Sequence, residues 1–544
     1  MPGPELTSAI ESPQAAPDRH NQGEDPNRWL RVLFPSTADL IFALFLVFLA
    51  TGPLAVKLLG DAGIGWHIRT GELIWQSKAV PRLDPFSSTI RGQPWYAWEW
   101  LYDMAVGALH GAGGLNAVVF FNALAIAATF AFVFRKMTRR GAGVTLAVVL
   151  LLFAAIASSV HFLARPHVFS WLFTLIWFEL LRDYELDGNI RRLFWLPAIM
   201  LVWVNVHGGF LVGLVLLGVY SLAFILESLI SKSDSRISSP VRKAEILAVF
   251  GVACAGVTLV NPYGYLLHVH IYRYLSDKFL MDHINEFLSP NFHGIPQKSF
   301  AIIILVTLAA LATARQKMAT SELLVILFAV YSGLYATRNM PVSALLLVMI
   351  VGPQLSRALA NGSSSAGLSG IASRLRANYA GFERRMGALE SRLSGHWLPI
   401  VTILVGGWVC LHGGRLGSLQ AMNATFDGNR FPVQAVDWLD REGVRDPVFC
   451  TDSWGGYVIY REFPKLQVVI DDRHDLYGPE YLMNYLKVIR VEPGWGQALA
   501  ATHASWILLP RQSAATTLLR EVHAWTVNYE DKTAVLFRRT GSAE

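Results

Sequence analysis

Carboxylate, histidine and arginine side chains recur beside the ends of long apolar segments in this 544-residue sequence. Carboxylates and imidazoles can accept or donate protons, and guanidinium groups bind anions through two parallel hydrogen bonds. Ionisable groups are costly at membrane depth and usually face a bundle interior or a water-filled cavity. Several segments that deliver such groups to one side therefore predict a shared polar cavity. The candidates are Asp61, His67, Arg69, Glu99, Arg165, His167, His207, Glu286 and Arg338.

Long apolar runs must position these side chains. Hydrophobic residues make up 53% of the chain and charged residues 16%, which is typical of a membrane protein. A membrane-spanning helix needs about 20 mostly apolar residues. The run at 193–230 is too long for one span, and the Asn-Val-His-Gly-Gly segment at 205–209 interrupts it, so we predict eleven spans in total. The runs lie at 39–59, 101–134, 144–160, 167–181, 193–230, 244–260, 300–314, 322–336, 340–355 and 397–411.

Basic loops predict the orientation of the chain. Short loops with an excess of Lys and Arg stay in the cytoplasm, and such loops lie at 135–140, 182–192, 231–243, 315–317 and 357–392. An even number of predicted spans separates each loop from the next, so we expect the N-terminus in the cytoplasm and the C-terminal domain outside. The net charge of +6 comes largely from these loops, so we do not predict nucleic-acid binding.

The chain divides into three predicted parts. Residues 1–35, rich in Pro, Ser, Gln and acidic residues, predict a disordered cytoplasmic tail. Residues 36–413 form the membrane domain, with outer loops at 60–100 and 261–298, and residues 414–544 predict a soluble domain outside the membrane. The expected fold class is a polytopic α-helical membrane protein with a small C-terminal α/β domain.

The C-terminal domain alternates short strands and helices. Strands are predicted at 447–451, 468–471 and 506–509, helices at 433–440, 456–461 and 514–522, and a hairpin at 525–529 and 534–538. The sequence Asp471-Asp472-Arg473-His474-Asp475 follows the second strand, a position where α/β folds often carry function. It lacks a glycine-rich phosphate loop and any defined ligand spacing. We favour a structural network linking Asp472 with Arg473 over a metal or phosphate site.

Two groups of motifs carry a resemblance to known membrane proteins. After Asp61, the first loop contains Gly-Trp-His-Ile-Arg-Thr-Gly-Glu at 65–72 and Asp-Pro-Phe-Ser at 84–87, and the tail contains Trp-Gly-Gly-Tyr at 454–457. From about residue 39 onward the chain resembles uncharacterised bacterial membrane proteins with a C-terminal periplasmic α/β domain. More distantly it resembles the GT-C class of polytopic glycosyltransferases, which includes protein mannosyltransferases, lipid A aminoarabinose transferases and oligosaccharyltransferases.

The GT-C resemblance implies an activity. Such enzymes transfer a sugar from a polyprenyl-phosphate carrier to an acceptor on the outer side of the membrane. Asp61 lies where the class carries its acidic first-loop residue, so the resemblance gives it the role of general base, worth on the order of 10²–10⁴ in rate. The acceptor, whether protein, lipid or glycan, is left open, and a bacterial inner membrane is the expected location.

The resemblance also implies binding roles. The paired acidic motif of the class is missing here, because Ala62 and Gly63 follow Asp61 directly. A second carboxylate is therefore expected from farther along the chain, and it would help to bind a divalent cation, Mg²⁺ or Mn²⁺. The candidates for that carboxylate are Glu99 and Glu286. The expected phosphate ligands are Arg69, Arg165 and Arg338, and the histidines expected to bind sugar hydroxyls or phosphate are His67, His167 and His207.

Structural roles compete with the functional ones. Asp61 could cap a helix in the first loop, since short acidic side chains favour such ends. Arg165 and Arg338 could extend to lipid headgroups. A helix beginning near Ile64 could lie in the plane of the membrane interface, with Trp66 and the other first-loop tryptophans as anchors. For the whole chain, the competing hypotheses are a transporter, an assembly component for envelope polysaccharide, and a GT-C scaffold that binds a lipid-linked sugar without turnover.

Overall fold

The computed structural model describes residues 28–230, 239–313, 317–361, 370–393 and 395–540. Residues 1–27, most of the tail predicted to be disordered, lie outside this range, as do parts of the predicted basic loops at 231–243, 315–317 and 357–392. The described chain forms a helical membrane region followed by a small domain with a four-stranded sheet. This architecture confirms the predicted fold class.

The membrane region is built from helices that follow the apolar runs. They are α1 Arg28–Leu33, α2 Thr37–Ala50, α3 Gly52–Leu58, α4 Ile64–Ser77, α5 Trp100–Arg139, α6 Val144–Ser158, α7 His167–Asp187, α8 Trp195–Trp203, α9 Phe210–Ile230, α10 Pro240–Val257, α11 Leu266–Ser276, α12 Lys278–His283, α13 Ile295–Thr313, α14 Thr320–Tyr335, α15 Met340–Asn361, α16 Gly370–Glu390 and α17 Trp397–Leu411. Within the described residues, six helices are long and apolar enough to cross a membrane, and α14 and α17 are shorter apolar helices. The total of eleven spans stays a prediction.

Apolar surfaces explain how these helices assemble. In lipid each segment must satisfy its own backbone polar groups, which a helix does. The segment 344–351 of α15 is buried on every side at the centre of the bundle, whereas α10 exposes Val249 and Val252 on its outer face. α2 begins at a capping box formed by Ser36 and Asp39. A bundle whose interior and exterior are both apolar is that of a multi-pass membrane protein.

α5 is longer than a bilayer requires, and it bends. A helix of 40 residues is ~60 Å long, about twice the hydrocarbon thickness. Gly113 and Gly114 leave helical geometry, and Gly114 has a φ of 61°, which glycine adopts without strain. The part before the bend packs against α4, where the backbones of Gly71 and Gly107 lie against each other. The bend therefore lets one helix both border the first loop and continue into the bundle.

The C-terminal domain is a small α/β layer. Its elements are β1 Arg415–Leu416, β2 Leu419–Gln420, α18 Val433–Arg441, β3 Val448–Cys450, α19 Asp452–Glu462, α20 His474–Arg490, α21 Trp495–Ala500, β4 Trp506–Pro510, α22 Ala514–Glu521, β5 Trp525–Glu530 and β6 Ala534–Arg539. The larger sheet has the order β3-β4-β6-β5, with β3 and β4 parallel and the other pairs antiparallel. The predicted strand at 468–471 is reduced to isolated bridges of Val468 with Val448 and with Ser87 of the first loop, and the sequence did not predict α20 or α21.

The first loop holds the C-terminal domain against the membrane region. The Ser88 N–H donates to the Val468 carbonyl at 2.8 Å, so the loop extends the sheet edge of the domain. α4 lies between α5 and α19, and Gly65 meets the backbone of Gly456 there. The predicted helix near Ile64 is therefore present, and these neighbours bury most of it. Its position in the plane of the membrane interface stays a prediction.

Candidate functional site

A cavity of about 520 Å³ lies between the membrane helices, the first loop and the C-terminal domain. Its lining combines ionisable groups with apolar side chains such as Leu211, Phe328 and Val342. The described lining residues do not include Asp61 or Arg69. Seven of the nine candidate residues do line it, and these are His67, Glu99, Arg165, His167, His207, Glu286 and Arg338.

Loops and helix ends deliver these groups to one side of the bundle. Arg165 immediately precedes Pro166 and α7, and the neighbouring Ala164 N–H donates to the Leu58 carbonyl at 2.7 Å, which ties this loop to α3. The other groups come from α4 (His67), the residue before α5 (Glu99), the start of α7 (His167), the turn between α8 and α9 (His207), a short turn after α12 (Glu286) and the turn between α14 and α15 (Arg338).

The Arg165 guanidinium is the centre of an ion network beside the cavity. Its Nη2 donates to Asp472 Oδ2 at 2.9 Å, its Nη1 donates to His67 Nε2 at 3.3 Å, and its Nε lies 3.3 Å from Asp61 Oδ2. Asp61 therefore reaches the site through Arg165. Asp61 Oδ1 also accepts the Gly63 N–H at 2.8 Å, next to the start of α4. The ion pair and a role at the helix end are thus compatible in one side chain.

Asp472 brings the C-terminal domain into the site. Trp66 Nε1 donates to Asp472 Oδ1 at 2.9 Å. Burial raises the pKa of Asp472 to about 6, although attraction to Arg165 opposes the shift. The predicted network of Asp472 with Arg473 is wrong in its pairing. Arg473 donates instead to Asp471 and, at 2.8 Å, to Asp84 in the first loop.

Arg338 and Glu286 form a second ion pair in the cavity. Arg338 Nη1 lies 3.3 Å from Glu286 Oε1, and the guanidinium stacks over the Phe287 ring at 4.5 Å from its centroid. Among the described residues Arg338 forms this one ion pair, whereas Arg165 forms ion pairs with two carboxylates. Arg338 therefore has more donors left for an incoming anion.

Hydrogen bonds fix the histidine rings. His67 Nδ1 lies 2.6 Å from Asp103 Oδ1, and His167 Nε2 donates to the His161 carbonyl at 3.0 Å. Asp103 was not among the predicted site residues, because it lies within the apolar run at 101–134. A lone carboxylate inside a predicted span is itself a functional signal, and it would have identified this residue.

Arg69 lies at the interface between domains. Its Nε donates to the Tyr460 carbonyl at 2.8 Å, and its Nη1 donates to Glu72 Oε2 at 2.7 Å. Glu72 Oε1 in turn faces His110 Nδ1 at 3.0 Å. These contacts connect α4, α5 and α19, so the geometry of Arg69 favours domain docking, and its role as a phosphate ligand stays a prediction.

The first-loop tryptophans mostly support the site. Trp66 and Trp95 are buried, and the Arg473 guanidinium lies 6.0 Å and 4.7 Å from their ring centroids. Trp98 packs edge-on against His270 of α11. Trp75, in contrast, is 45% exposed. Burial therefore leaves Trp75 as the more suitable membrane anchor, and Trp66 and Trp95 join the first loop to the C-terminal domain.

The described residues do not fit the predicted divalent cation. No group of three or more His, Cys, Asp or Glu side chains among them is arranged to hold a metal ion. The two predicted carboxylate ligands face other partners, because Glu286 pairs with Arg338 and Glu99 lies between His67 and His207. A requirement for Mg²⁺ or Mn²⁺ rests on the resemblance alone.

Comparison with solved structures identifies the fold of this chain. No protein-family model and no curated protein matches the chain. It is similar to the structure of ArnT from Cupriavidus metallidurans bound to undecaprenyl phosphate, with a TM-score of 0.50 and 14% identity, covering 95% of this chain and 99% of that one. It is also similar to the Archaeoglobus fulgidus oligosaccharyltransferase tethered with an acceptor peptide, with a TM-score of 0.53 and 12% identity, covering 93% of this chain and 74% of that one. The chain therefore has the GT-C membrane fold, as the resemblance implied.

Proposed function

We propose that this chain is a glycosyltransferase that transfers a sugar from a polyprenyl-phosphate donor to an acceptor in the cavity. The observation that carries the proposal is a lining that combines arginines and histidines with apolar side chains. A lipid-linked sugar presents an anionic phosphate, hydroxyl groups and an apolar chain, which match those three kinds of surface. The similarity to ArnT bound to undecaprenyl phosphate supports this choice of donor.

The proposed site faces the outer side of a bacterial inner membrane, and the N-terminus lies in the cytoplasm. Basic loops support this orientation, since Lys and Arg are retained in the cytoplasm. One of these loops carries Lys136 and Arg140, which pair with Glu179 on α7. An acceptor protein, lipid or glycan would then approach from the side of the C-terminal domain.

Arg338 is the proposed principal ligand of the donor phosphate. Its ion pair with Glu286 is partly exposed, so a phosphate can replace or share that carboxylate at little desolvation cost. Arg165 holds Asp61 and Asp472 and adds positive charge beside the phosphate. His167 is placed to hydrogen-bond sugar hydroxyls.

The proposed reaction exchanges one bond at the anomeric carbon. The acceptor oxygen attacks the face opposite the phosphate, the carbon–oxygen bond to the phosphate breaks, and its electron pair leaves on the phosphate. A base takes the acceptor proton, and the stereochemistry inverts. Asp61 is the base implied by the resemblance. It pairs with Arg165 and is not among the described lining residues, so the acceptor would have to reach it from beside the cavity.

Turnover of a panel of polyprenyl-phosphate sugars by the purified full-length protein tests this proposal. We expect release or transfer of one sugar. We also expect Arg338→Gln to weaken binding of that donor by about 10- to 100-fold, because a charged hydrogen-bond donor is lost. Arg490→Gln, at a surface ion pair of the C-terminal domain, should leave turnover unchanged.

The remaining outcomes of this experiment separate the competing hypotheses. Binding of a donor without turnover, across all acceptors offered, would identify a scaffold that binds lipid-linked sugar. Absence of both binding and turnover across the panel would contradict the proposal and favour a non-enzymatic membrane protein. Asp61→Asn, assayed beside the wild type, tests whether Asp61 is the base.

A further inference from the structure

Glu99 lies between two histidines in the cavity. Its Oε2 is 3.6 Å from His67 Nε2, and its Oε1 is 3.8 Å from His207 Nε2. Each histidine is held through its other ring nitrogen. The hydrogen-bond partners of each ring therefore decide whether the Nε2 atom that faces Glu99 carries a proton or a lone pair.

The bonds of His207 place its proton toward Glu99. The Gly209 N–H donates to His207 Nδ1 at 3.0 Å, and a backbone N–H can only donate, so Nδ1 carries a lone pair. Trp203 Nε1 donates to Ser170 Oγ at 2.7 Å, and the Ser170 hydroxyl, 2.8 Å from Nδ1, donates its own proton to that nitrogen. The neutral ring therefore holds its proton on Nε2.

The bonds of His67 have the opposite effect. Arg165 Nη1 donates to His67 Nε2 at 3.3 Å, and a guanidinium can only donate, so Nε2 presents a lone pair. His67 Nδ1 then donates to Asp103 Oδ1 at 2.6 Å. Burial, followed by the charge of Arg165, lowers the pKa of His67 well below its ordinary value. Burial likewise lowers the pKa of His207 to about 3, so both rings are neutral.

Glu99 Oε1 thus faces a hydrogen-bond donor, His207 Nε2, and Glu99 Oε2 faces an acceptor, His67 Nε2. A carboxylic acid fits this arrangement, with its proton on Oε2 toward the His67 Nε2 lone pair, which it shares with Arg165 Nη1, and with Oε1 facing the N–H of His207. Burial raises the pKa of Glu99 to about 8, so the acid form prevails at neutral pH. The groups that surround it are His67 on α4, Asp103 on α5, Arg165 before α7, His207 before α9, Glu286 after α12, Arg338 before α15 and Asp475 on α20.

We propose that Glu99 and His67 form a relay that takes up the proton of the acceptor hydroxyl, an inference that rests on the proposed transfer reaction. The hydroxyl proton moves to Glu99 Oε1 while the proton on Oε2 moves to His67 Nε2. The acceptor oxygen bonds to the anomeric carbon, and the bond to the phosphate breaks with its electron pair on the phosphate. The His67 imidazolium then balances the additional negative charge of the released polyprenyl phosphate.

Two further residues position the relay. Asp103 accepts the Nδ1 proton of His67 and stabilises the imidazolium once it forms. The His207 N–H is placed to hydrogen-bond the acceptor oxygen beside Glu99. The relay gives Glu99, which lines the cavity, the proton-accepting role that the resemblance implies for Asp61.

Infrared spectroscopy of the full-length protein tests the protonated Glu99 without any substrate. We expect a carbonyl band of a protonated carboxyl group at neutral pH that Glu99→Gln removes, that Asp61→Asn retains, and that disappears as the pH rises through about 8. Wild-type and Glu99→Gln spectra that agree in this band from pH ~6 to ~10 would overturn the relay, because Glu99 would then hold no proton to pass on.

Thermal unfolding gives an independent test of the raised pKa of Glu99. The folded pKa of Glu99 lies above its ordinary value of 4.5, so its contribution to stability is complete below that value and is lost as the pH rises through about 8. Glutamine does not titrate. The melting temperature of Glu99→Gln relative to wild type should therefore rise between these two pH values, and a flat difference would contradict the burial of an acid at this position.

The donor that the panel identifies allows the catalytic test. Glu99→Gln should lower turnover by about 10²–10⁴-fold with binding of that donor unchanged. Asp103→Asn should shift the pH–rate profile, which loss of a structural contact alone would not do. If Asp61→Asn abolishes turnover while Glu99→Gln retains it, the relay is wrong and Asp61 is the base. If no sugar is turned over by wild type, the transfer reaction fails, and the infrared band alone decides whether Glu99 is protonated.

Discussion

Replacing Arg473 by methionine is expected to lower the free energy of unfolding by about 3–5 kcal/mol, the cost of removing one partner from a buried ion pair. Arg473 is 3% exposed, and its partners Asp84 and Asp471 are 2% and 0% exposed. The guanidinium donates to Asp84 at 2.8 Å and to Asp471 at 2.7 Å. Methionine fills much of the same space beside Trp95, but it offers neither charge nor donors to the two carboxylates.

Denaturant unfolding of the full-length protein in detergent measures this effect, with Arg490→Met as the matched control. Arg490 lies beside Glu492 at the surface of the same domain, and these side chains are 51% and 46% exposed. Water compensates an exposed pair, so the control should lose about 0–1 kcal/mol. Equal losses in the two variants would show that the Arg473 network stabilises the protein no more than a surface contact does.

Exchanging Gly456 for alanine is expected to separate α19 from α4. A Cβ atom at Gly456 would lie 2.3 Å from the Ala62 carbonyl oxygen and 2.7 Å from its carbon. These are backbone atoms, which cannot rotate away, so the two helices must move apart at a cost of about 1–3 kcal/mol. Because Asp472 reaches Arg165 across this interface, we expect loss of turnover together with faster proteolysis of the C-terminal domain.

Gly496→Ala is the matched control for this prediction. Gly496 lies in the same domain on α21, and a Cβ there would have no neighbouring atom within 4 Å. Alanine favours a helix over glycine by about 1 kcal/mol, so this variant should be as resistant to protease as wild type. If Gly456→Ala proved equally resistant and active, α4 and α19 would not be in close contact in the functional protein.

Local patterns in the sequence predicted many of the helices and strands. A segment in lipid must satisfy its own backbone, so a long apolar run has few alternatives to a helix. The apolar runs predicted α2, α3, α5 to α10, α13 to α15 and α17, but not α4. In the C-terminal domain, alternating strand and helix patterns predicted β3, β4 and the hairpin of β5 and β6. The strand near Val468 failed because its pairing depends on a first-loop segment far away in the chain.

The sequence predicted which residues gather at the candidate site, but it did not predict which of their side chains contact one another. Ionisable groups at helix ends are costly unless they share a polar cavity, and this argument alone selected Arg165, His167 and His207. It did not select Asp103, whose apolar neighbours concealed it, or separate Asp61 from the residues that line the cavity. Helix ends on one side of a bundle converge, but their order along the chain does not specify which side chains touch.

By itself, the sequence determined a helical membrane bundle, a small α/β domain and the chemical types gathered between them. The tertiary structure alone decided the partners. Arg473 meets Asp84 across 389 positions of the chain, and Arg165 meets Asp472 across 307. The glycines at α4 and α19 become significant only where two backbones approach each other. Helix and strand periodicity is a local property set by neighbouring residues, whereas an ion pair or a close backbone contact depends on how distant segments pack.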